Sequence, residues 1–201
     1  MLGRYIEKAA NTDYRPRKGF GKLVQLAYLV PDVDKGMAEW SKHAGVGPWT
    51  CFRNIALPST YMGQELELQI HEALSYIGEL QIQLVQSLND PQTPTPYSEY
   101  RRQNRYGAHH VAFFSKDIDA DIRRADAQGC DPVCEMRDAD GHRYYYCRSR
   151  SMPDVWYEFL EEYPLLLDIF KKGIERSAHW DGSDPVRNIE YADLLAGTLR
   201  L

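Results

Sequence analysis

An internal repeat constrains the fold of this 201-residue chain more than any other feature. Residues 25–34 (QLAYLVPDVD) and 110–119 (HVAFFSKDID) both run from a polar residue, through apolar and aromatic residues, to two aspartates at the same spacing. Each segment continues into a helix-like stretch that meets a glycine and then a proline three residues later, namely Gly45 with Pro48 and Gly129 with Pro132. A repeat of this kind predicts two equivalent structural units.

Each half of the repeat has the pattern of a strand, a helix and three further strands. The run 24–30 is rich in β-formers and short enough for a strand. An aspartate of each pair, Asp32 or Asp34 and Asp117 or Asp119, can cap the following helix through its carboxylate. The pattern therefore indicates an α+β fold. The further strands are predicted at residues 49–55, 66–76 and 79–86 in the first half, and at 132–136, 142–148 and 155–161 in the second.

The same pattern divides the chain into segments. We predict one central domain, 21–162, in which two modules are joined by a linker that contains three prolines. A helix predicted at 164–174 has an apolar face that would cover the domain or a partner subunit. The predicted segments are an N-terminal extension (1–20), the first module (21–86), the linker (87–106), the second module (107–162), and a C-terminal helix and tail (163–201).

Four polar residues occupy equivalent positions in the first and last strands of the two modules: Gln25, Gln83, His110 and Glu158. A polar side chain in an apolar row needs water or a partner, so the four should converge if both halves form one curved sheet. One imidazole, one carboxylate and two carboxamide oxygens suit a divalent ion such as Zn, Mn, Co, Ni or Fe(II). The alternative is that each is an ordinary hydrogen-bonded strand residue. Strand alternation places His109 on the opposite face from His110.

These stretches resemble the vicinal oxygen chelate superfamily, which includes glyoxalase I, methylmalonyl-CoA epimerase, extradiol dioxygenases and bleomycin-resistance proteins. The resemblance spans roughly residues 21–162, and the motifs are closest to the glyoxalase-like and epimerase-like branch. The segments that carry it are 25–48 (QLAYLVPDVDKGMAEWSKHAGVGP), 78–86 (GELQIQLVQ), 107–120 (GAHHVAFFSKDIDA) and 154–161 (DVWYEFLE).

The resemblance implies two βαβββ modules that form a curved mixed β-sheet around a cleft. It also implies metal ligands on the first and last strand of each module, which fall on Gln25, Gln83, His110 and Glu158. Gln25 departs from the family pattern, in which histidine is more usual at this position. Since only one histidine is available, the set does not match the two-histidine, one-carboxylate iron site of extradiol dioxygenases.

Further residues are candidates for catalysis and substrate binding. Glu158 could serve as ligand and base in turn, and a second catalytic carboxylate would fall near Glu67, counting back from Gln83. His71, with the same parity as Glu67, is a candidate for lining the cleft. Arg101 could hold an anionic substrate at the rim, and one or two of the tyrosines 144–146 could line the pocket, with Tyr145 as the chosen candidate. For all of these residues, surface or core packing is the alternative.

Three functions are compatible with this sequence. The first is a metal-dependent isomerase, epimerase or lyase that acts next to a carbonyl of a small organic acid, a thioester or a hydrophobic catabolite. The second is a protein of the same fold that sequesters a small molecule without catalysis. The third is a protein whose main role is assembly through its C-terminal segment. A dioxygenase is disfavoured by the single histidine ligand.

Composition narrows the choice of partners. The formal charge of −5 and the lack of a basic run argue against nucleic-acid binding. No apolar stretch approaches the roughly 18 residues that cross a bilayer, and residues 1–20 are too highly charged for a signal peptide. We therefore expect a cytoplasmic homodimer that acts on a small molecule, with its four cysteines as buried thiols.

Overall fold

The computed structural model describes residues 19–195, which form nine strands and five helices. The strands are β1 (Leu23–Leu29), β2 (Trp49–Tyr61), β3 (Gln64–Ile77), β4 (Leu80–Ser87), β5 (Gly107–Ser115), β6 (Cys130–Arg137), β7 (Arg143–Ser149), β8 (Trp156–Glu161) and β9 (Val186–Glu190). The helices are α1 (Val33–Ala44), α2 (Ser98–Arg102), α3 (Ile118–Ala127), α4 (Pro164–Ala178) and α5 (Tyr191–Leu195).

Both modules begin their helices in the same way, as the repeat predicts. The Asp32 carboxylate accepts a hydrogen bond from the Lys35 amide at 3.0 Å, and Asp117 accepts one from the Ala120 amide at 2.9 Å. At the other end of α1, Gly45 takes a left-handed conformation with φ of 66°, which a glycine adopts without steric cost. The local chemistry of each strand-to-helix turn is thus built into the repeated sequence.

The sheet runs in the order β3-β4-β1-β5-β8-β7-β6-β2-β9, and β2 pairs with β3 as well. Strands β1 to β8 therefore form a closed ring, and β9 adds to the ring beside β2. The first strands of the two modules, β1 and β5, are antiparallel neighbours. Each also pairs in parallel with the last strand of its own module, β4 or β8. The two βαβββ modules thus form one mixed sheet with helices packed on it, which confirms the predicted α+β fold class.

The helices of the modules cover the outside of the sheet. Val33 and Met37 of α1 are buried against Trp49 and Ile82. Ile118 of α3 belongs to an equivalent cluster on the second module. Side chains of the strands and of the C-terminal segment lie on the concave side of the sheet.

The C-terminal helix α4 packs on the sheet through a glycine. Gly173 is so close to Tyr76 that a Cβ atom at this position would lie 2.1 Å from its ring. A second glycine, Gly47, is covered in the same way by Trp180, whose ring would lie 2.4 Å from an added Cβ. These two close approaches hold the C-terminal segment against the first module.

Parts of the predicted flanking segments, residues 1–18 and 196–201, lie outside the described residues. The segment boundaries remain a prediction. Within 19–195, none of the helices has the length and apolar character needed to cross a membrane.

Candidate active site

A cavity of about 330 Å³ lies between the concave face of the sheet and helix α4. Most of its wall is apolar or aromatic, and α4 supplies Leu165, Leu166, Ile169 and Phe170, which together are called the roof below. The polar side chains that line it include Gln25, Glu72, Gln81, Gln83 and Glu158.

The strand register explains why the polar residues of both modules meet here. Gln25 of β1 pairs with Gln81 of β4 and with Ala112 of β5, which in turn pairs with Glu158 of β8. Two residues further along β1, Ala27 stands between Gln83 and His110. The alanines at the centre of both rows are fully buried and small, which leaves room for the longer side chains to converge.

Each of the four predicted ligands presents one buried polar atom that has no hydrogen-bond partner outside the set. Unpaired buried polar atoms are rare in folded proteins, so the two free glutamine oxygens beside the His110–Glu158 pair make this a candidate cation site. Three of the residues line the cavity, and His110 lies directly behind Glu158, with 3.1 Å between His110 Nε2 and Glu158 Oε2. The four atoms are Gln25 Oε1 and Gln83 Oε1, which have no partner, and His110 Nε2 and Glu158 Oε2, which have only each other.

Hydrogen bonds from their amide groups orient both glutamines. Gln25 Nε2 donates to Gln81 Oε1 at 2.5 Å, and Gln81 Nε2 donates to the Tyr76 hydroxyl at 2.6 Å. Gln83 Nε2 donates to the Glu72 carboxylate. Since each amide nitrogen is engaged with a neighbour, each carbonyl oxygen is left free, which is the form in which a glutamine can bind a cation.

His109 fixes the tautomer of His110. His109 Nε2 lies 3.2 Å from the Pro96 carbonyl, which can only accept, so this nitrogen carries the proton. His109 Nδ1 is then an acceptor and receives the hydrogen bond from His110 Nδ1 at 2.9 Å. His110 Nε2 is left as a lone pair that faces Glu158, as a metal ligand requires.

His109 is buried, as is His110, but it does not line the cavity. The register of β5 against β1 shifts at this point, with Ala27 opposite His110 and Tyr28 opposite Ala108, so His109 occupies a bulge. In this bulge the side chain packs against Tyr97, Tyr100 and Trp156. Simple alternation assigned His109 to the opposite face and missed its contact with His110.

Burial controls the charges at the site. It lowers the pKa of His110 and raises the pKa of Glu158, because burial disfavours the charged form of each group. Burial also raises the pKa of Glu72 to about 7, the Glu158 charge adds to this rise, and the hydrogen bond from Gln83 opposes it. The carboxyl groups of Glu72 and Glu158 thus face a cavity whose wall, among the residues described, contains no basic side chain.

The residue types limit which metals this site could hold. No group of three or more His, Cys, Asp or Glu side chains suited to a metal is present within 19–195. The predicted set contains one imidazole and one carboxylate, and amide oxygens complete it. This donor set fits a borderline or hard divalent ion better than a thiolate-preferring one.

Glu72 lines the same cavity as Glu158 and is not among the candidates predicted from the sequence. Glu67 lies on the exposed face of β3, where its carboxylate accepts a hydrogen bond from Gln69 at 2.7 Å. The two positions have opposite parity on a regular strand, and only Glu72 belongs to the inward row with Ile70 and Leu74. The signal in the sequence that points to Glu72 is a carboxylate in the otherwise apolar row of Ile70 and Leu74.

The three predicted substrate-binding residues lie outside the cavity wall. His71 has the outward parity of Glu67, and its Nδ1 accepts a hydrogen bond from the Asn54 amide at 3.0 Å. Arg101 donates to the carbonyl of Asn89 within the linker. Tyr145 packs in the outer cluster under α3, and its neighbours Tyr144 and Tyr146 line the cavity instead.

Comparisons with known proteins agree with this architecture. The profile of the Glyoxalase/Bleomycin resistance protein/Dioxygenase superfamily matches residues 24–146. The crystal structure of methylmalonyl-CoA epimerase from Mycobacterium tuberculosis aligns with a TM-score of 0.50 and 22% identity over 73% of this chain and 91% of that chain. A hypothetical protein from Bacillus halodurans C-125 aligns with a TM-score of 0.49 and 20% identity over 71% and 95%. A search of curated proteins finds no match.

Proposed function

Because the chain belongs to the Glyoxalase/Bleomycin resistance protein/Dioxygenase superfamily, we propose that it is a metal-dependent isomerase, epimerase or lyase that acts on a carbon next to a carbonyl. The observation that carries this proposal is the set of four buried atoms on Gln25, Gln83, His110 and Glu158 that have no partner outside the set. They lie beside a further cavity carboxylate, Glu72.

These four residues would hold one divalent ion through those four atoms. A bound ion supplies Lewis-acid polarisation of a carbonyl oxygen and stabilises negative charge that develops there. The surrounding residues prepare the site for it. His109 keeps the Nε2 lone pair of His110 available, and the chain from Tyr76 through Gln81 keeps the Gln25 oxygen turned to the cavity.

Glu72 is the proposed proton acceptor. One carboxylate oxygen, Oε1, receives the hydrogen bond from Gln83, which fixes the side chain and leaves the other oxygen to take a proton from the substrate carbon. The apolar wall around it, with Phe52, Leu74 and Leu160, excludes water and so limits competing proton exchange. Glu158, the other carboxylate named here, serves as a metal ligand in this proposal.

The experiment is hydrogen–deuterium exchange at the α-carbon of a panel of ketones in D₂O, followed by proton NMR. We expect metal-loaded wild type to exchange the α-proton of at least one member of the panel. Glu72→Gln should slow this exchange by about 100-fold or more, the usual contribution of a positioned base. Glu67→Gln is the matched control, and it should exchange at the wild-type rate.

Two outcomes would contradict the proposal. If Glu72→Gln and Glu67→Gln slow exchange equally, Glu72 is not the base. If ketones bind with unchanged affinity after chelator treatment and no exchange is seen with any metal, the protein is a non-catalytic binding protein of the same fold.

A further inference from the structure

We propose that the substrate is an uncharged carbonyl compound with a bulky apolar body, and that the site excludes dicarboxylates, phosphate esters and CoA thioesters. The inference rests on the proposed function for the position of the carbonyl. The charge and the apolar character of the rest of the substrate are inferred from the residues that line and close the cavity.

The cavity offers no positive partner to an anionic group. Among the described residues that line it, the ionisable side chains other than tyrosine are all acidic: Glu72, Glu158, Asp138 and Asp140. A charged group that enters a poorly hydrated space without a partner loses its hydration, and nearby carboxylates add repulsion. Anionic substrates are therefore disfavoured everywhere except at the ion that the four ligands would hold.

Two basic side chains beside the cavity lining are engaged with other groups. His142, close to the mouth, pairs through Nδ1 with Asp138 at 3.0 Å and stacks on Tyr163 with 3.6 Å between ring centroids. Arg143 pairs with Asp119 and Glu135. Neither basic residue lines the cavity.

Four tyrosines in the wall satisfy their hydroxyl groups in pairs. The Tyr97 and Tyr146 hydroxyls are 2.9 Å apart, and the Tyr144 and Tyr163 hydroxyls are 2.7 Å apart. Each pair uses one hydroxyl hydrogen between its two members, and the rings themselves contribute apolar surface to the wall. Such a wall suits an aromatic or alicyclic body.

The roof closes the cavity with further apolar surface. Leu166 and Phe170 are buried, and Leu165 stands at the mouth with 45% of its surface exposed. Helix α4 lies outside residues 24–146, the part of the chain that the superfamily profile matches. The selection of the substrate body is thus shared between the tyrosines of the wall and the C-terminal segment of this chain.

The test compares ketones that differ in charge at the end remote from the carbonyl. Binding of 4-phenylbutan-2-one, of 4-(3-oxobutyl)benzoate and of the methyl ester of that acid is measured by calorimetry, with acetyl-CoA as the thioester. We expect both uncharged ketones to bind at least tenfold more tightly than the carboxylate, and acetyl-CoA to show no measurable binding. Tighter binding of the carboxylate or of acetyl-CoA would overturn the proposal.

Two tryptophan variants on α4 locate the binding site. Leu165 and Leu167 are similarly exposed, at 45% and 41%, but only Leu165 lines the cavity. We expect Leu165→Trp to weaken binding of the uncharged ketones at least tenfold and Leu167→Trp to leave it unchanged. Equal effects of the two variants would contradict binding beneath the roof.

The outcomes separate this inference from the proposed function. Uncharged ketones that bind beneath the roof but never exchange their α-protons would support the substrate class and contradict the enzyme. Exchange that occurs only with the carboxylate would support the enzyme and contradict the substrate class.

Discussion

The hydrogen bonds of His109 decide which nitrogen of His110 faces Glu158, although His109 itself does not line the cavity. The Pro96 carbonyl sets the proton on His109 Nε2, and this in turn makes His109 Nδ1 the acceptor for His110 Nδ1. Groups that orient a metal-binding histidine in this way typically change metal affinity by about 10–100-fold. His109 is therefore a positioning residue in this account.

Replacing His109 tests this role. We expect His109→Leu to weaken binding of a divalent ion by about tenfold or more, because His110 loses the acceptor that holds its tautomer. His109→Gln retains a side-chain acceptor and should recover part of the affinity. Calorimetric titration with Co²⁺ measures both. Equal losses in the two variants would indicate that His109 acts only through packing.

At the scale of elements, α4 connects substrate selection with the orientation of a ligand. The Tyr76 ring packs under Gly173, and its hydroxyl receives the hydrogen bond from Gln81, which in turn accepts from Gln25. A displacement of α4 would therefore disturb both the roof and the orientation of Gln25.

Gly173→Ala tests this contact. Alanine has the higher helix propensity, worth about 1 kcal/mol in its favour at an exposed helix position. Here its Cβ would collide with the Tyr76 ring, and overpacking costs about 1–3 kcal/mol. We expect a net loss of unfolding free energy in urea. Lys171→Ala, on the exposed face of α4, is the control and should change it little. A Gly173→Ala variant more stable than wild type would contradict the packing described.

At the scale of the whole molecule, the repeat made much of the fold predictable. Equivalent spacing identified β1 and β5, the two aspartate pairs that contain the helix caps Asp32 and Asp117, and four residues that come together beside the cavity. Prediction was weaker where the repeat has no counterpart. Strand β9 and the position of α4 over the cavity depend on packing between distant segments, which local pattern does not encode.

Misplaced site residues have a related cause. Along the 14-residue strand β3, an error of one residue exchanges the inner and outer faces, and this separates Glu67 and His71 from Glu72. The same parity places Tyr145 outside and its two neighbours inside. His109 contacts His110, although alternation predicts opposite faces for the two, because a bulge interrupts the alternation of β5.

The most direct test of the central claim is a titration of chelator-treated protein with Co²⁺, Mn²⁺ or Zn²⁺ by calorimetry, with His110→Ala beside His71→Ala. Wild type and His71→Ala are predicted to bind one ion per chain. His110→Ala is predicted to lose at least tenfold in affinity, because the only imidazole ligand of the proposed site is removed. Unchanged affinity in His110→Ala, or no stoichiometric binding by wild type with any of the three ions, would contradict a metal site formed by Gln25, Gln83, His110 and Glu158.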